Sequence, residues 1–356
     1  MGSPILFGMA EVGYFIAMMV YIGYFIFKNN ATGVCATTVA TAAFLSQTVA
    51  LLLRWVESYS LGIGRAPLTN LYESLIFFVW CLMLGYLIIE FKYKNRTFGA
   101  FVTPIAGLAL GFIDLTGISK EIEPLVPALQ SNWLLAHVTM SFIAYAAFAI
   151  AFATGMLYLV LNTEKRNESS YIFWTVAGSI FLLVIAAMGA DYLKFKVIGT
   201  SPEHIKSYLF RATFRSDSGF TALLSWIGAL AITFSVWRYG YVLKRMIQSF
   251  GISLEFLEDL NYKLIAVGFP IFTLGGLIFG AIWADQAWGV YWSWDPKETW
   301  SLITWFVYAF YLHARYLRGW RGNKIAVLSS VGFITVIFTY LGVNMFLSGL
   351  HSYGGS

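Results

Sequence analysis

The sequence predicts an all-α protein, a polytopic transmembrane helical bundle of about ten helices with a tryptophan-rich loop on its outer face. Hydrophobic residues make up 59% of the 356 residues and charged residues only 12%, about half the charged share of soluble globular proteins. The apolar residues fall in blocks of roughly 20, the length that crosses a hydrocarbon core about 30 Å thick. The chain therefore suits a lipid bilayer as its solvent.

Ten apolar segments follow one another along the chain. They cover residues 4–27, 36–55, 72–91, 98–113, 133–161, 171–190, 219–239, 262–283, 297–317 and 325–347. The first has no basic region before it, so we expect it to remain in the mature protein rather than be cleaved as a signal. The fourth is short and contains Pro104 and several glycines, so we expect a broken or re-entrant helix there.

The lysines and arginines indicate the orientation. If the N-terminus is outside, most of the 23 lysines and arginines lie in or beside the inner connections, as the inner loops of membrane proteins prefer. The outer connections are then residues 57–73, 114–132, 191–219 and 283–296. On the inner side, residues 241–261 mix apolar and charged residues at helical spacing and predict an amphipathic helix on the membrane surface.

Charge and cysteine content argue against two classes of function. The net charge of +5 is small for this length and forms no basic stripe with interleaved aromatic residues, so no nucleic-acid binding is predicted. Cys35 and Cys81 are the two cysteines, and their wide separation excludes a CxxC thiol pair. Any thiol chemistry would therefore have to come from a partner.

The most informative stretch is WGVYWSWDPKETW, residues 288–300, at the predicted outer membrane boundary. Its indoles are Trp288, Trp292, Trp294 and Trp300, and Trp283 lies just before it. A single tryptophan at such a boundary usually belongs to an aromatic belt. Four within one loop, with Gly289 giving backbone freedom between them, instead predict the walls of a site for a flat, apolar ligand.

The residues DPKE, 295–298, predict the start of a helix. Asp at the N-cap, Pro at N1 and Glu at N3 form a capping box that satisfies the first backbone N–H groups. We therefore interpret Asp295 first as a cap, which would also orient the indoles before it. The helix that contains Trp300 and His313 should begin at about residue 296.

Two of the four histidines share the predicted depth of the tryptophan loop. His137 lies one turn inside the outer end of the fifth segment, and His351 lies just past the outer end of the last. Neutral imidazole is a common ligand of haem iron. Two imidazoles that bracket an aromatic loop at one depth indicate axial ligands on the two sides of a porphyrin, although a lone interfacial histidine is usually a bystander.

The other two histidines differ in depth. His313 lies about 17 residues beyond the helix start, hence about 25 Å deeper at 1.5 Å per residue. An ionisable group there marks a ligand site or pathway, or else extends toward Arg315 and Arg318 at the inner surface. His204 lies in a polar outer stretch, and we interpret it as solvated.

The run WGVYWSWDPKETW, followed by LHARY and flanked by the distant histidines, resembles the WWD-motif family of haem-handling membrane proteins. In particular it resembles the CcsA/ResC type of the system II cytochrome c biogenesis apparatus, and the outer stretch APLTNLYESL, residues 66–75, is similar to that type's N-terminal part. The resemblance covers at least residues 131–356. It implies N-terminal transmembrane helices over 1–130 and a haem-handling core over 131–356.

The resemblance also implies roles for individual residues. The residues in the motif run that would hold haem b at the outer face are Trp288, Trp292, Trp294, Asp295 and Trp300. His137 and His351 match the two outer histidines that ligate the haem iron, and His313 matches a transmembrane histidine that helps to receive haem from the inner side. The family uses a pair of intramembrane histidines there. Because this chain offers one, the resemblance implies that a CcsB/ResB-type membrane subunit supplies the other.

The implied function is that of a haem-handling subunit of a cytochrome c synthetase. It would carry haem to the extracytoplasmic face of a bacterial inner membrane or thylakoid membrane and present it there for covalent attachment to the CxxCH motif of apocytochrome c, with a thioredoxin-like reductant as a further partner. Two alternatives stay open: a haem exporter or chaperone without ligation activity, similar to CcmC, and a b-type electron-transfer subunit. The second is disfavoured because His313 is the one deep histidine.

Overall fold

The computed structural model describes residues 2–116, 118–122, 130–199 and 219–347, and every regular element in these ranges is helical. The helices are α1 (Ser3–Phe27), α2 (Asn30–Ser60), α3 (Leu71–Tyr93), α4 (Gly99–Thr116), α5 (Asn132–Asn162), α6 (Ser169–Asp191), α7 (Gly219–Gln248), α8 (Leu254–Phe272), α9 (Gly280–Trp288), α10 (Pro296–Tyr316), α11 (Asn323–Ile337) and α12 (Val343–Phe346). Three π-helical stretches continue or join them: Tyr192–Val197 after α6, Thr273–Phe279 between α8 and α9, and Phe338–Gly342 between α11 and α12.

The predicted all-α transmembrane bundle is confirmed. Each of the ten apolar segments forms a helix, and nine helical runs in the described ranges are long and apolar enough to cross a membrane. One of these is the continuous run from Leu254 to Trp288. The one predicted segment outside this set is 297–317, which corresponds to α10; polar and charged residues interrupt its apolar ones.

The expectation of a broken or re-entrant fourth segment is wrong. α4 runs without interruption through Pro104. Pro104 lies in the second turn and removes one backbone donor, but the helix continues, and Thr103 Oγ1 donates to the Gly99 carbonyl oxygen at 2.6 Å. The glycines serve close packing: a Cβ at Gly99 would lie 2.4 Å from the Tyr21 ring.

The predicted surface helix over residues 241–261 is also wrong. α7 continues to Gln248, and α8 begins at Leu254 after a turn in which Gly251 adopts a φ of +66°. Ser253 caps the new helix, since its Oγ accepts from the Phe256 N–H at 3.2 Å. The helical spacing that predicted one surface helix belongs to the ends of two consecutive helices.

α5 lies at the centre of the bundle, and most of its C-terminal half is buried. A buried amide ties its neighbours to it: Asn261 of α8 donates to the Ala151 carbonyl oxygen at 2.6 Å and to Ser329 Oγ of α11 at 2.9 Å. Tyr311 of α10 donates its hydroxyl to Asn261 Oδ1 at 2.7 Å. A fully hydrogen-bonded buried polar group fixes how the surrounding helices pack, so the positions of α8, α10 and α11 around α5 are specified.

The start of α3 packs against the C-terminal half of the chain. The buried pair Arg54 and Glu73 joins α2 to α3 with Nε and Oε1 2.6 Å apart. Glu73 Oε2 also accepts from the N–H and hydroxyl of Thr69, which orders the chain that leads into the helix. The hydroxyls of Ser74 and Tyr340 are hydrogen-bonded to each other. The N-terminal helices thus contribute to the wall of the cavity described next.

Candidate functional site

A cavity open to solvent lies at the end of the bundle where α3, α5 and α10 begin. Its walls come from α3, α5, the α8–α9 run, the tryptophan loop, α10 and the π-helical stretch after α11. The cavity therefore lies at the end that the charge distribution predicts to be outer.

His137 is in the wall of this cavity. Its Nδ1 lies 2.7 Å from the carbonyl oxygen of Gly275. A carbonyl oxygen only accepts, so Nδ1 carries the hydrogen and Nε2 carries the lone pair. The ring is nearly parallel to the indole of Trp283, with centroids 6.3 Å apart and an interplanar angle of 16°. Histidines that bind metals commonly donate their second ring N–H to a backbone carbonyl in this way.

Glycines in the backbone that packs against α5 leave space for the His137 ring and its neighbours. The π-helical stretch Thr273–Phe279 contains Gly275, at which a Cβ would lie 2.3 Å from Met140 Cβ on α5. A Cβ at Gly280, at the start of α9, would lie 2.9 Å from His137 Nδ1. Only glycine allows both approaches, and π-helical turns occur often at functional sites.

The four tryptophans of the motif run differ in their position relative to the cavity. Trp292 lines the cavity directly. Trp288 packs edge-to-face on Trp283, a lining residue, with centroids 5.9 Å apart. Trp294 is 69% exposed, has a φ of +60°, and contacts Trp292 with centroids 5.8 Å apart. Trp300 is in α10 and packs against Phe338 of the π-helical stretch after α11, with ring centroids 4.1 Å apart.

The predicted start of α10 is confirmed. Asp295 is the N-cap, and its Oδ2 accepts from the Lys297 N–H at 3.0 Å. Glu298 completes the capping box, since its Oε2 accepts from the Asp295 N–H at 3.3 Å. Asp295 is buried, and its cap fixes the backbone direction of the tryptophan loop as it enters the helix.

Sequence reasoning missed several cavity residues. Lys297 and Glu298 line the cavity, although the pattern indicated only a helix start. On α5, Ser141 and Tyr145 also line it. Ser141 lies four residues after His137 and Tyr145 four residues after Ser141, which places all three on one helix face. That spacing was the available signal for Ser141 and Tyr145.

The remaining histidines do not lie at this cavity in the described part of the chain. His313 is in the last turn of α10, at the other end of the helix, and its side chain is exposed on the outside of the bundle. Phe306 and Phe310, exposed by 57% and 49%, lie on the same helix face one and two turns earlier. His351 and His204 lie outside the described residues, so the pairing of His351 with His137 stays a prediction.

Comparison with known proteins agrees with these features. The family described as "Cytochrome C assembly protein" matches residues 68–351. "Cytochrome c biogenesis protein CcsA" of Microcystis aeruginosa is 37% identical over 349 residues, covering 96% of this chain and 94% of that protein. The protein of the same description from Gloeobacter violaceus is 36% identical over 330 residues, covering 89% and 86%. That from Marchantia polymorpha is 34% identical over 349 residues, covering 96% and 93%.

The matched range begins at Leu68, in the segment that packs against the cavity, and continues through the tryptophan loop to residue 351. It therefore includes the cavity-lining residues of both halves of the chain. With relatives above 30% identity over nearly the whole length, the chain belongs to the cytochrome c assembly protein family and is an integral membrane protein of the CcsA type.

Proposed function

We propose that this protein is the haem-handling subunit of a system II cytochrome c synthetase, which brings haem b to the extracytoplasmic face of the membrane and presents it to apocytochrome c. One observation carries the proposal. His137 lies in the wall of an open cavity, beside Trp283 and Trp292, with its Nδ1–H donated to the Gly275 carbonyl. Nε2 is then the nitrogen that can ligate iron, and the indoles offer flat faces for the porphyrin.

His351 is the residue we infer as the second axial ligand. It lies four residues beyond Leu347, a reach of at most roughly 14 Å for an extended chain. The last described helix, α12, begins beside the cavity, because Asn344 Oδ1 lies 3.4 Å from Nζ of the lining residue Lys297. The chain length is therefore sufficient for His351 to return to the haem that His137 would bind. Two imidazoles would occupy both axial positions of the iron.

The exposed face at the inner end of α10 supports the presence of a partner subunit. An ionisable side chain facing lipid is costly and by default marks a functional contact, and His313 is exposed on the outside of the bundle, in line with Phe306 and Phe310. We infer that a CcsB/ResB-type subunit covers this face and contributes the other histidine of an inner haem site. The exposed aromatic side chains would be buried in the same interface.

At the outer face the role of the protein is to position haem for reaction with apocytochrome c. Holding haem at His137 while the CxxCH thiols of apocytochrome c approach the open mouth turns a bimolecular addition into an effectively intramolecular one. A thioredoxin-like reductant would keep those thiols reduced, since the described cysteines of this chain, exposed Cys35 and buried Cys81, form no thiol pair. We place the cavity on the extracytoplasmic side of a bacterial inner or thylakoid membrane, following the charge distribution.

The test is His137→Ala in the full chain, purified in detergent with its partner subunit. We expect loss of most bound haem, measured by absorption spectroscopy, and loss of holocytochrome c formation in cells. His204→Ala is the control, since the sequence predicts a solvated role for that histidine. Wild-type haem content and wild-type maturation in His137→Ala would overturn the proposal.

A further inference from the structure

Two polar atoms buried beside the cavity lack hydrogen-bond partners in the described ranges. These are Oε1 of Glu298, on α10, and Oγ of Ser141, on α5, and both residues line the cavity that contains His137. A buried polar atom without a partner destabilises the fold, and such atoms are rare in folded proteins. Two of them among the residues that line one cavity indicate that a ligand completes their hydrogen bonding.

The carboxylate of Glu298 is held in place by its other oxygen. Oε2 accepts from the Ser293 N–H at 2.7 Å, from Ser293 Oγ at 3.1 Å and from the Asp295 N–H at 3.3 Å. Capping uses only this oxygen, and a glutamine at the same position of a capping box would serve equally well. Capping therefore does not explain why an ionisable group stands here with one oxygen directed to no protein donor.

The chemistry of the two substrates indicates which group donates to Glu298 Oε1. A carboxylate oxygen accepts hydrogen bonds or protons, whereas the vinyl edges of haem carry neither N–H nor O–H. The second substrate of the proposed reaction does bring a donor, because each CxxCH cysteine enters as a thiol. Lys297 and Asp295 are the charged side chains next to Glu298 in the chain. The titratable side chains that line the cavity from other elements are those of His137, Tyr145, Tyr291 and Tyr340.

We propose that Glu298 transfers the proton during attachment, an inference that rests on the proposed function. Glu298 Oε1 takes the proton as the cysteine S–H bond breaks, and the sulfur forms a bond to one carbon of the haem vinyl group. The vinyl double bond becomes single, and the proton passes from Oε1 to the other vinyl carbon. The net reaction is the addition of S–H across the vinyl C=C bond, which needs neither an oxidant nor a reductant. Ser141 Oγ, on α5, hydrogen-bonds to the bound substrate.

The test uses Glu298→Gln in the full chain, with its partner subunit, haem b and an apocytochrome that contains one CxxCH motif. Because glutamine preserves the cap, we expect wild-type haem content, absorption spectrum and thermal stability. We expect the rate of thioether formation, measured as haem that stays with the cytochrome after denaturation, to fall by at least about 100-fold, the lower range for loss of a general acid–base.

The pH dependence of the attachment rate distinguishes a proton-transfer role of Glu298 from a purely structural one. The thiolate forms without a base as pH passes the cysteine pKa of about 8.5. Between pH 7 and pH 9 the deficit of Glu298→Gln relative to wild type should therefore narrow. Glu168→Gln is the matched control, since Glu168 also binds backbone N–H groups at a helix start, those of Glu164 and Lys165, and lies away from the cavity.

Three outcomes would overturn the inference. They are a wild-type attachment rate in Glu298→Gln, a deficit of the same size at pH 7 and pH 9, or loss of bound haem in parallel with loss of attachment. The last would make Glu298 a haem-binding residue rather than a proton-transfer residue. None of these outcomes contradicts the proposed function, which fails instead if His137→Ala retains haem and maturation.

Discussion

Gly280→Ala tests whether the backbone around His137 sets the haem affinity. The added Cβ would lie 2.9 Å from His137 Nδ1 and 3.0 Å from its Cε1, about 0.5 Å closer than ordinary contact allows. The ring would have to move, and its 2.7 Å hydrogen bond to the Gly275 carbonyl oxygen would stretch or break. The fold around it should survive, because the clash involves one side chain.

The magnitude follows from the role of that hydrogen bond. Losing the partner that orients a metal-ligating histidine typically lowers metal affinity by 10- to 100-fold, or about 1.4–2.7 kcal/mol. We expect a decrease of this size in haem affinity, measured by titrating haem into the detergent-purified chain and following its absorption spectrum. The spectrum of the remaining complex should also shift, since the imidazole is no longer held in one orientation.

Gly228→Ala is the matched control. Gly228 is also helical, in α7, and a Cβ there meets nothing within 4 Å, so haem affinity should not change. If Gly280→Ala binds haem as tightly as wild type, with an unchanged spectrum, the carbonyl of Gly275 does not orient His137 for iron and the reasoning is refuted.

Three further predictions test other parts of the structure. Arg54→Met leaves the buried carboxylate of Glu73 without its ion-pair partner. The free energy of unfolding, measured by thermal unfolding of the purified protein, should therefore fall by about 3–5 kcal/mol, and a decrease below about 1 kcal/mol would contradict this. Trp292→Ala should lower haem content several-fold, because Trp292 lines the cavity, whereas Trp294→Ala should lower it less, because that side chain is mostly exposed; the reverse order would show that the loop turns over when haem binds. His313→Ala should block maturation with haem made inside the cell, but not binding of haem added to purified protein at the outer cavity; loss of both would place His313 in the outer site.

Local patterns in the sequence determined the helices and their ends. Each span of roughly 20 apolar residues must satisfy its backbone hydrogen bonds internally when it lies in lipid, so composition alone predicted helices in the right places. The capping box at Asp295 depends only on residues three apart, and the start of α10 was predicted to the residue. The family resemblance was likewise readable, because its motif is a contiguous run.

Patterns that need a neighbouring element were harder to interpret. Residues 241–261 showed helical spacing, but a turn at Gly251, with its φ of +66°, divides them between α7 and α8. The proline and glycines of the fourth segment suggested a break, yet packing against α1 and α3 supports one continuous helix. Spacing within a segment does not reveal what packs against it.

Hydropathy and the motif run are enough to predict a bundle of membrane-spanning helices with histidine and tryptophan near one end. The packing of the helices was needed to show that His137 donates to the Gly275 carbonyl, that Trp292 rather than Trp294 lines the cavity, and that Glu298 lines the same cavity. The two kinds of feature differ in the sequence distance over which their interactions act. Hydrophobic length and capping act between near neighbours in the chain, whereas a cavity is formed by side chains that the packing of six separate elements brings together.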